Sequence, residues 1–274
     1  MEQHLFNGDS KDVLKTIQDN SVDLLASDPP YAISFMGKEW DKALPDKEIW
    51  EECYRVLKPG AFIAVMSSPR SDVLYRMIMD LEGVGFDMSF SPILWTYHSG
   101  FPKASDTRKV MEKRGENGDK YEGSKLGFQP KPAVEHIIIG MKPHGQKSYI
   151  DNVLNFEALP EGVKMTYPFL QVPKPSKKEK NLGIDKNFHP TTKPVKLMSY
   201  IITLFTREGD WVLDPFLGSG TTGIASKLLN RNFVGIEREQ EYMDIIQQRL
   251  DVPRENLIKF FKTEIKDTQT KLDL

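Results

Sequence analysis

The chain has 274 residues, which is long enough for one domain with a large insertion or for a domain with a second, smaller lobe. Its 39% of hydrophobic residues suffice for a core and exclude a disordered chain, and no apolar run approaches the roughly 18 residues that a membrane-spanning helix needs. The formal net charge is −2. The chain has a single cysteine, Cys53, which excludes a disulfide framework and a cysteine-ligated zinc site. The lack of a signal-peptide pattern indicates a cytoplasmic protein.

The N-terminal third alternates predicted strands and helices. An apolar strand at 22–27 ends abruptly at Asp28-Pro29-Pro30-Tyr31, and Ser10 is the predicted N-cap of the first helix. In chain order, the predicted elements are a strand at 4–7, a helix at 10–17, a strand at 22–27, a helix at 46–57, a strand at 61–66 and a helix at 71–83.

The rest of the chain repeats this alternation around a basic middle segment. The predicted elements are strands at 90–98 and 133–142, a helix at 194–205 with Pro194 in its first turn, a strand at 209–216, a helix at 221–230, a strand at 232–237, a helix at 240–250 and a peripheral polar tail from Val252. This order predicts an α/β fold, in which a Rossmann-like, doubly wound and mostly parallel sheet carries helices on both faces.

Positive charge is concentrated in the middle of the chain. Residues 100–188 contain sixteen Lys and Arg against eleven Asp and Glu, a net of +5, which leaves −7 on the other residues. Such a segment is either a solvated insertion or a groove that faces nucleic-acid phosphates, and composition leaves both interpretations open. Lys103, Arg108 and Lys109 are candidates for phosphate contact.

A glycine-rich turn follows the strand at 209–216. Gly218, Gly220 and Gly223 match G-x-G-x-x-G between a predicted strand and a predicted helix, where glycine permits a tight turn and a close approach of ligand to backbone. The next strand ends at Glu237, 23 residues beyond Asp214, where an acid accepts the hydroxyls of a ribose. The pattern therefore predicts a cofactor that contains a nucleoside.

The residues before these glycines favour a cationic cofactor. Asp214 would repel the pyrophosphate of a nicotinamide dinucleotide, but it suits an α-amino group or the neighbourhood of a sulfonium. S-Adenosylmethionine carries both positive groups together with a ribose, so it fits Asp214 and Glu237 together.

The Asp28-Pro29-Pro30-Tyr31 turn combines rigid acceptors with an aromatic ring. Its two prolines fix φ and remove two backbone donors, so the Asp28 carboxylate and nearby carbonyls remain. This set suits an amino group on a planar ring, which would stack on Tyr31 and donate to Asp28 and to the Pro29 carbonyl. A turn that merely ends a strand is the other interpretation of these four residues.

The order of these motifs resembles the β-group of S-adenosylmethionine-dependent DNA amino-methyltransferases. In that group the Asp-Pro-Pro-Tyr turn comes early and the glycine turn late, with target recognition between them. The sequence HPTTKP at 189–194 is similar to the element before the family's glycine strand, and Gly8-Asp9 is similar to its short acidic element. The resemblance covers about 1–99 and 188–250.

This resemblance implies a permuted methyltransferase fold with four parts. They are a catalytic half at 1–99, a basic target-recognition region at 100–188 with a core strand near 133–141, a cofactor-binding half at 189–250 and a peripheral tail at 251–274.

The resemblance also implies individual roles for the motif residues. Asp28, Pro29, Pro30 and Tyr31 would hold the target amine, with Asp28 also near the amino group of the cofactor. The expected cofactor-binding residues are Asp9 beside the adenine, Phe216 beside the adenine or methionine part, Asp214, Gly218, Gly220 and Thr221 at the methionine portion, Thr191 and Lys193 at the carboxylate, and Glu237 at the ribose.

The implied activity is site-specific methylation of double-stranded DNA on a base that has been flipped out of the duplex. Its exocyclic amine would attack the cofactor's methyl group in line, while Asp28 stabilises the positive charge on nitrogen, without a metal or a covalent intermediate. Trp40 and Phe35 either form a lid over the flipped base, in contact with DNA, or pack as ordinary apolar side chains. The family suggests a homodimer, and a partner restriction endonuclease stays open.

Several alternatives remain. An initial Asp in the proline turn favours adenine N6 within the family, with cytosine N4 as the alternative, whereas cytosine C5 methylation would need a thiolate that Cys53, in a predicted amphipathic helix, does not offer. An RNA or protein amide methyltransferase would place the glycine turn first. A nicotinamide-dependent oxidoreductase leaves the proline turn unexplained, and a non-enzymatic DNA-binding module predicts no effect of the cofactor.

Overall fold

The strands of the fold are short apolar runs, most of them buried. A computed structural model describes residues 1–33, 37, 39–97, 105–127, 133–146, 148, 150–151 and 168–269, with side chains as far as Lys262. In these residues the strands are β1 (Gln3–Asn7), β2 (Val22–Ser27), β3 (Leu57–Ser67), β4 (Ile93–Thr96), β5 (Ser105–Asp106), β6 (Lys125–Leu126), β7 (Val134–Met141), β8 (Phe169–Gln171), β9 (Trp211–Asp214) and β10 (Asn232–Glu237).

All of these strands except β5 and β6, which pair with each other, form one sheet in the order β1-β10-β9-β2-β3-β7-β4-β8. The sheet is mostly parallel, as the alternation of elements predicts, and β7 runs antiparallel to both of its neighbours. The adjacent strands β2 and β9 lead to opposite sides, because β2 is followed by β3 and β9 by β10. In an open α/β sheet, ligands bind at the carboxyl ends of strands beside such a reversal.

The helices of the described residues are α1 (Ser10–Val13), α2 (Lys47–Val56), α3 (Ser71–Val84), α4 (Thr107–Lys113), α5 (Lys177–Lys180), α6 (Val195–Phe205), α7 (Thr221–Leu228), α8 (Gln240–Asp251) and α9 (Arg254–Gln269). The prediction that Ser10 caps the first helix is wrong. Asp9 is the cap, because its carboxylate accepts the backbone N–H of Lys11 at 3.0 Å. The Ser10 hydroxyl instead donates to the carbonyl of Pro215, which ties α1 to the turn after β9.

The core lies on both faces of the sheet. Successive side chains of a strand point to opposite faces, so the adjacent residues Leu24 and Leu25, both fully buried, belong to different clusters. Leu24 belongs to the cluster that contains Ile201 of α6, whereas Leu25 belongs to the cluster that contains Trp50 of α2. Helices on both faces therefore explain why β2 is buried along its whole length.

The expectation of a peripheral tail from Val252 is wrong for the first turns of that segment. It forms α9, in which Leu257 is fully buried and Phe261 is 7% exposed, and both pack with the cluster around α6. Apolar residues at helical spacing bury one stripe of this otherwise polar helix. Each helix described here is too short or too polar to serve as a transmembrane segment.

Candidate active site

A cavity of about 560 Å³ lies at the carboxyl ends of β2, β9 and β10. The predicted residues that line it are Asp9, Asp28, Pro29, Pro30, Tyr31, Trp40, Thr191, Lys193, Asp214, Phe216, Gly218, Thr221 and Glu237. The parallel sheet thus gathers motifs that are far apart in the sequence. Gly220 does not line the cavity but lies at the N-terminus of α7 with φ +81°, so its contribution is the turn itself.

The proline turn presents Asp28 and Tyr31 to this cavity. The Tyr31 hydroxyl donates to Asp28 Oδ1 at 2.5 Å, and the Tyr31 backbone N–H donates to Asp41 Oδ1 at 2.7 Å. Asp41 is itself buried, so it anchors the chain just after the prolines. The turn is therefore rigid, and it holds one oxygen of Asp28 in a fixed direction.

Lys193 forms a buried ion pair with Asp28. Its Nζ lies 2.5 Å from Asp28 Oδ2 and 3.4 Å from Glu135 Oε2. Burial raises the pKa of Asp28 above its ordinary value, while Lys193 opposes and Glu135 adds to this rise. Burial alone would lower the pKa of Lys193, but the two carboxylates outweigh it and hold that pKa above its ordinary value. Lys193 thus contacts acids of the site, and its expected role at the cofactor carboxylate stays a prediction.

Glu135 is a site residue that the sequence reasoning missed. It lies on β7, lines the cavity, and accepts a hydrogen bond from the Tyr97 hydroxyl at 3.2 Å. Lys174 completes the group, because its Nζ is 4.0 Å from Glu135 Oε1 and 4.3 Å from the centre of the Tyr97 ring. The available signal was a single acid in a mainly apolar strand, since buried charges are costly unless paired.

The glycine turn and the end of β10 are joined by Glu237. Glu237 Oε2 accepts the N–H of Gly218 at 2.7 Å, and Oε1 accepts the N–H of Glu239 at 2.8 Å. Gly218 has φ +59°, and a Cβ added there would lie 3.0 Å from His189 Nε2, so this position requires glycine. Burial raises the pKa of Glu237 to about 7.

Asp214 supports the glycine turn from within. Its carboxylate accepts hydrogen bonds from the Ser27 and Thr222 hydroxyls at 2.5 and 2.6 Å and from the Phe216 N–H at 3.1 Å. Burial raises the pKa of Asp214 to about 6 despite these donors. The sequence predicted that Asp214 faces a cationic group of the cofactor. In the structure its hydrogen bonds instead connect β2, the glycine turn and α7.

The remaining predicted cofactor contacts line the cavity in different ways. The Asp9 carboxylate caps α1, and the Phe216 ring meets Trp50 edge-on with ring centres 5.7 Å apart. The Thr191 N–H donates to the Nδ1 of His189 at 3.4 Å. The Thr221 hydroxyl is buried and has no hydrogen-bond partner among the described residues, so it is a polar group suited to meet a ligand.

The four predicted DNA-contact residues have different surroundings. Trp40 lines the cavity with its ring stacked on His189, at 6.3 Å and 12° between planes. Arg108 contacts three carboxylates, those of Glu112, Asp119 and Glu122, which reduces its capacity to bind phosphate. Lys109 is exposed on α4, away from the cavity lining, and Lys103 lies outside the described residues, as does Phe35.

Comparison with known proteins identifies similar sequences. The sequence profile of the DNA methylase family, of the N6/N4 type, matches residues 22–248. The type II methyltransferase M.HpaI of Haemophilus parainfluenzae is 32% identical over 264 residues, which cover 92% of this chain and 75% of that protein. M.HinfI of Haemophilus influenzae is 30% identical over 286 residues, which cover 96% of this chain and 72% of that protein.

Solved structures show the same architecture. The M1.HpyAVI–SAM complex matches with a TM-score of 0.60 at 25% identity and covers 91% of this chain and all of that chain. The PvuII DNA methyltransferase, which is cytosine-N4-specific, matches with a TM-score of 0.64 at 21% identity over 96% of this chain and 92% of that one, a likeness in fold alone.

Proposed function

Because the chain belongs to the DNA methylase family of the N6/N4 type, we propose that it is a site-specific methyltransferase for N6 of adenine in double-stranded DNA. Membership of the family makes the chain a DNA amino-methyltransferase with S-adenosylmethionine as its cofactor, and the choice of adenine is the proposal. The observation that carries the chemistry is the Asp28 carboxylate, held beside Tyr31 in the cavity next to the glycine turn.

The cavity fits S-adenosylmethionine by its donors and acceptors. Glu237 would hold the ribose hydroxyls. The glycine turn, the unpartnered Thr221 hydroxyl and Thr191 would line the methionine portion. Phe216 offers an apolar wall and Asp9 an acceptor near the adenine. When bound, the cofactor would supply an electrophilic methyl group. We propose that the target amine attacks it directly and in line, that the carbon–sulfur bond breaks so that S-adenosylhomocysteine leaves, and that the methylated nitrogen releases one proton to solvent.

The residues of the proline turn orient the amine. Asp28 and the Pro29 carbonyl accept its two hydrogens, so the nitrogen lone pair is directed away from them and toward the cofactor side of the cavity. The carboxylate then stabilises the positive charge that develops on nitrogen. Positioning of this kind contributes about 7–11 kcal/mol in well-oriented reactions.

The target base has to leave the duplex to reach this cavity, so DNA must pass its rim. Lys174 and Lys180 line the cavity, and Lys177 and Lys178 are exposed between them around α5. The acid of this helix, Glu179, is turned inward, where its Oε1 accepts the N–H of Val195 at 2.7 Å. We therefore propose that Lys177, Lys178 and Lys180 contact phosphates, while Trp40 at the cavity covers the flipped base.

Adenine is favoured over cytosine by the initial Asp of the turn, as the family resemblance implies, and N4 of cytosine is the second candidate. Cytosine C5 is disfavoured because Cys53 is fully buried in α2 and burial raises the pKa of its thiol. A homodimer remains a prediction of the resemblance and a cytoplasmic location a prediction of the sequence, and a partner restriction endonuclease stays open.

The test is product analysis. The purified protein is incubated with unmethylated genomic DNA and labelled S-adenosylmethionine, and the nucleosides are identified by mass spectrometry. N6-methyldeoxyadenosine is expected, and Asp28→Ala should abolish it while cofactor binding remains measurable. If the product is N4-methyldeoxycytidine, the target base is cytosine and the proposed mechanism is unchanged. Product on RNA or protein alone would refute the DNA substrate.

A further inference from the structure

The Lys193 ammonium lies between two carboxylates of the site. Its Nζ is 2.5 Å from Asp28 Oδ2 and 3.4 Å from Glu135 Oε2, and the side chains of Lys193 and Glu135 are only 10% and 12% exposed. The other oxygen of Asp28 accepts the Tyr31 hydroxyl at 2.5 Å. Each oxygen of Asp28 therefore already has a donor before a target amine binds.

A target amine has to share Asp28 with this ammonium. Positive charge grows on the amine nitrogen as its bond to the methyl carbon forms, and a carboxylate that an adjacent cation already neutralises stabilises that charge poorly. The ammonium also repels the growing charge directly. Lys193 therefore needs another anionic partner while Asp28 holds the amine. Besides the cofactor carboxylate predicted for it, the Glu135 carboxylate is already within reach, at 3.4 Å.

We propose that Glu135 is that partner, a positioning residue that takes up the Lys193 ammonium when the target amine binds Asp28. The proposal rests on the proposed function. The two distances of 2.5 and 3.4 Å differ by 0.9 Å, so a small displacement of Nζ exchanges the closer carboxylate. The buried ammonium stays paired throughout, which avoids the cost of leaving it uncompensated.

Neighbouring polar groups keep the Glu135 carboxylate in place and close to Lys193. The Tyr97 hydroxyl lies 3.2 Å from Oε1, the Tyr31 hydroxyl lies 3.4 Å from Oε2, and Lys174 lies 4.0 Å from Oε1. The carboxylates of Asp28 and Glu135 and the ammonium groups of Lys193 and Lys174 thus balance in charge. Glu135 is the only acid of β7, whose isoleucines fill the core, so apolar packing does not account for it.

A double-mutant cycle separates this role from a structural one. Glu135→Gln keeps the shape and a hydrogen bond to Tyr97 but cannot pair with Lys193. At saturating DNA and cofactor, we expect the single-turnover rate of methyl transfer to fall about a hundredfold, with the cofactor Kd unchanged within about twofold. In a Lys193→Met background the same substitution should change the rate less than about twofold, since no ammonium remains to be moved.

The control is an acid–lysine pair at the opposite end of β2, where the buried Asp23 lies 2.6 Å from the half-buried Lys58. Asp23→Asn should lower the melting temperature and leave the single-turnover rate unchanged. If Glu135→Gln fails to fold, Glu135→Asp replaces it in the double-mutant cycle. This variant keeps the charge but moves it away from Lys193, so we expect the same pattern with a smaller fall in the single-turnover rate.

The outcomes discriminate between the two proposals. An equal rate loss in the wild-type and Lys193→Met backgrounds overturns the role of Glu135 and leaves the proposed function intact. A wild-type protein that transfers no methyl group to DNA overturns the proposed function and this inference with it.

Discussion

Protonation of Glu237 is expected to weaken cofactor binding. Its two oxygens already accept the N–H groups of Gly218 and Glu239, and burial raises its pKa to about 7. A ribose contact from the same carboxylate needs the ionised form as acceptor. With this pKa the ionised fraction falls from about 0.9 at pH 8 to about 0.1 at pH 6, so the cofactor Kd should rise about tenfold, or about 1.4 kcal/mol.

The assay is calorimetric titration with S-adenosylhomocysteine, which cannot transfer a methyl group, between pH 6 and pH 8. Glu237→Gln is the matched variant, because its amide does not ionise. We expect it to bind S-adenosylhomocysteine weakly, with a Kd that no longer changes tenfold between pH 6 and pH 8. Its amide group meets a backbone N–H, so urea unfolding should show a loss of about 1–3 kcal/mol. A wild-type Kd that is constant over this range, or a tenfold change that persists in Glu237→Gln, would refute the ribose role.

The same raised pKa has the opposite consequence for stability without cofactor. An unfolded Glu, with a reference pKa of 4.5, ionises before the folded one, so the folded state binds more protons between about pH 4.5 and pH 7. The contribution of Glu237 to the free energy of unfolding should therefore fall as pH rises through this range, and Glu237→Gln should lack that fall in urea titrations.

Three further substitutions test other parts of the site. Gly218→Ala should lose about 1–2 kcal/mol of stability and weaken cofactor binding. Gly209→Ala, at a position with φ +85° and open space around it, should lose stability from backbone strain but keep its cofactor affinity. Equal cofactor affinities of the two variants would contradict this. Replacing Lys177 and Lys178 together by Ala should reduce the slope of log K for DNA against log salt by about two, and an unchanged slope would remove them from the interface. Cys53→Ala should retain methyl transfer, because the thiol is buried outside the cavity lining; loss of product in a folded variant would reopen thiol chemistry.

Much of the fold follows from local patterns. The strand at 22–27 and the helix at 240–250 were predicted within a residue, because an unbroken apolar run and an apolar stripe at helical spacing are properties of neighbouring residues. Errors arose where neighbouring signals compete. Asp9 and Ser10 are both good capping residues, and only the direction in which the chain enters α1 decides between them.

The candidate site divides in the same way. The sequence by itself determined that Asp28 follows one strand, that Glu237 ends another and that a glycine turn follows a third, because the chemistry of each motif depends on adjacent residues. The tertiary structure decided the partners. It brings Lys193 to Asp28 across 165 residues and Ser27 to Asp214 across 187, adds Glu135 from the antiparallel strand, and places Arg108 among three acids. The reason is that electrostatics and burial depend on distance in space, and the order and register of strands in the sheet, rather than spacing along the chain, fix that distance.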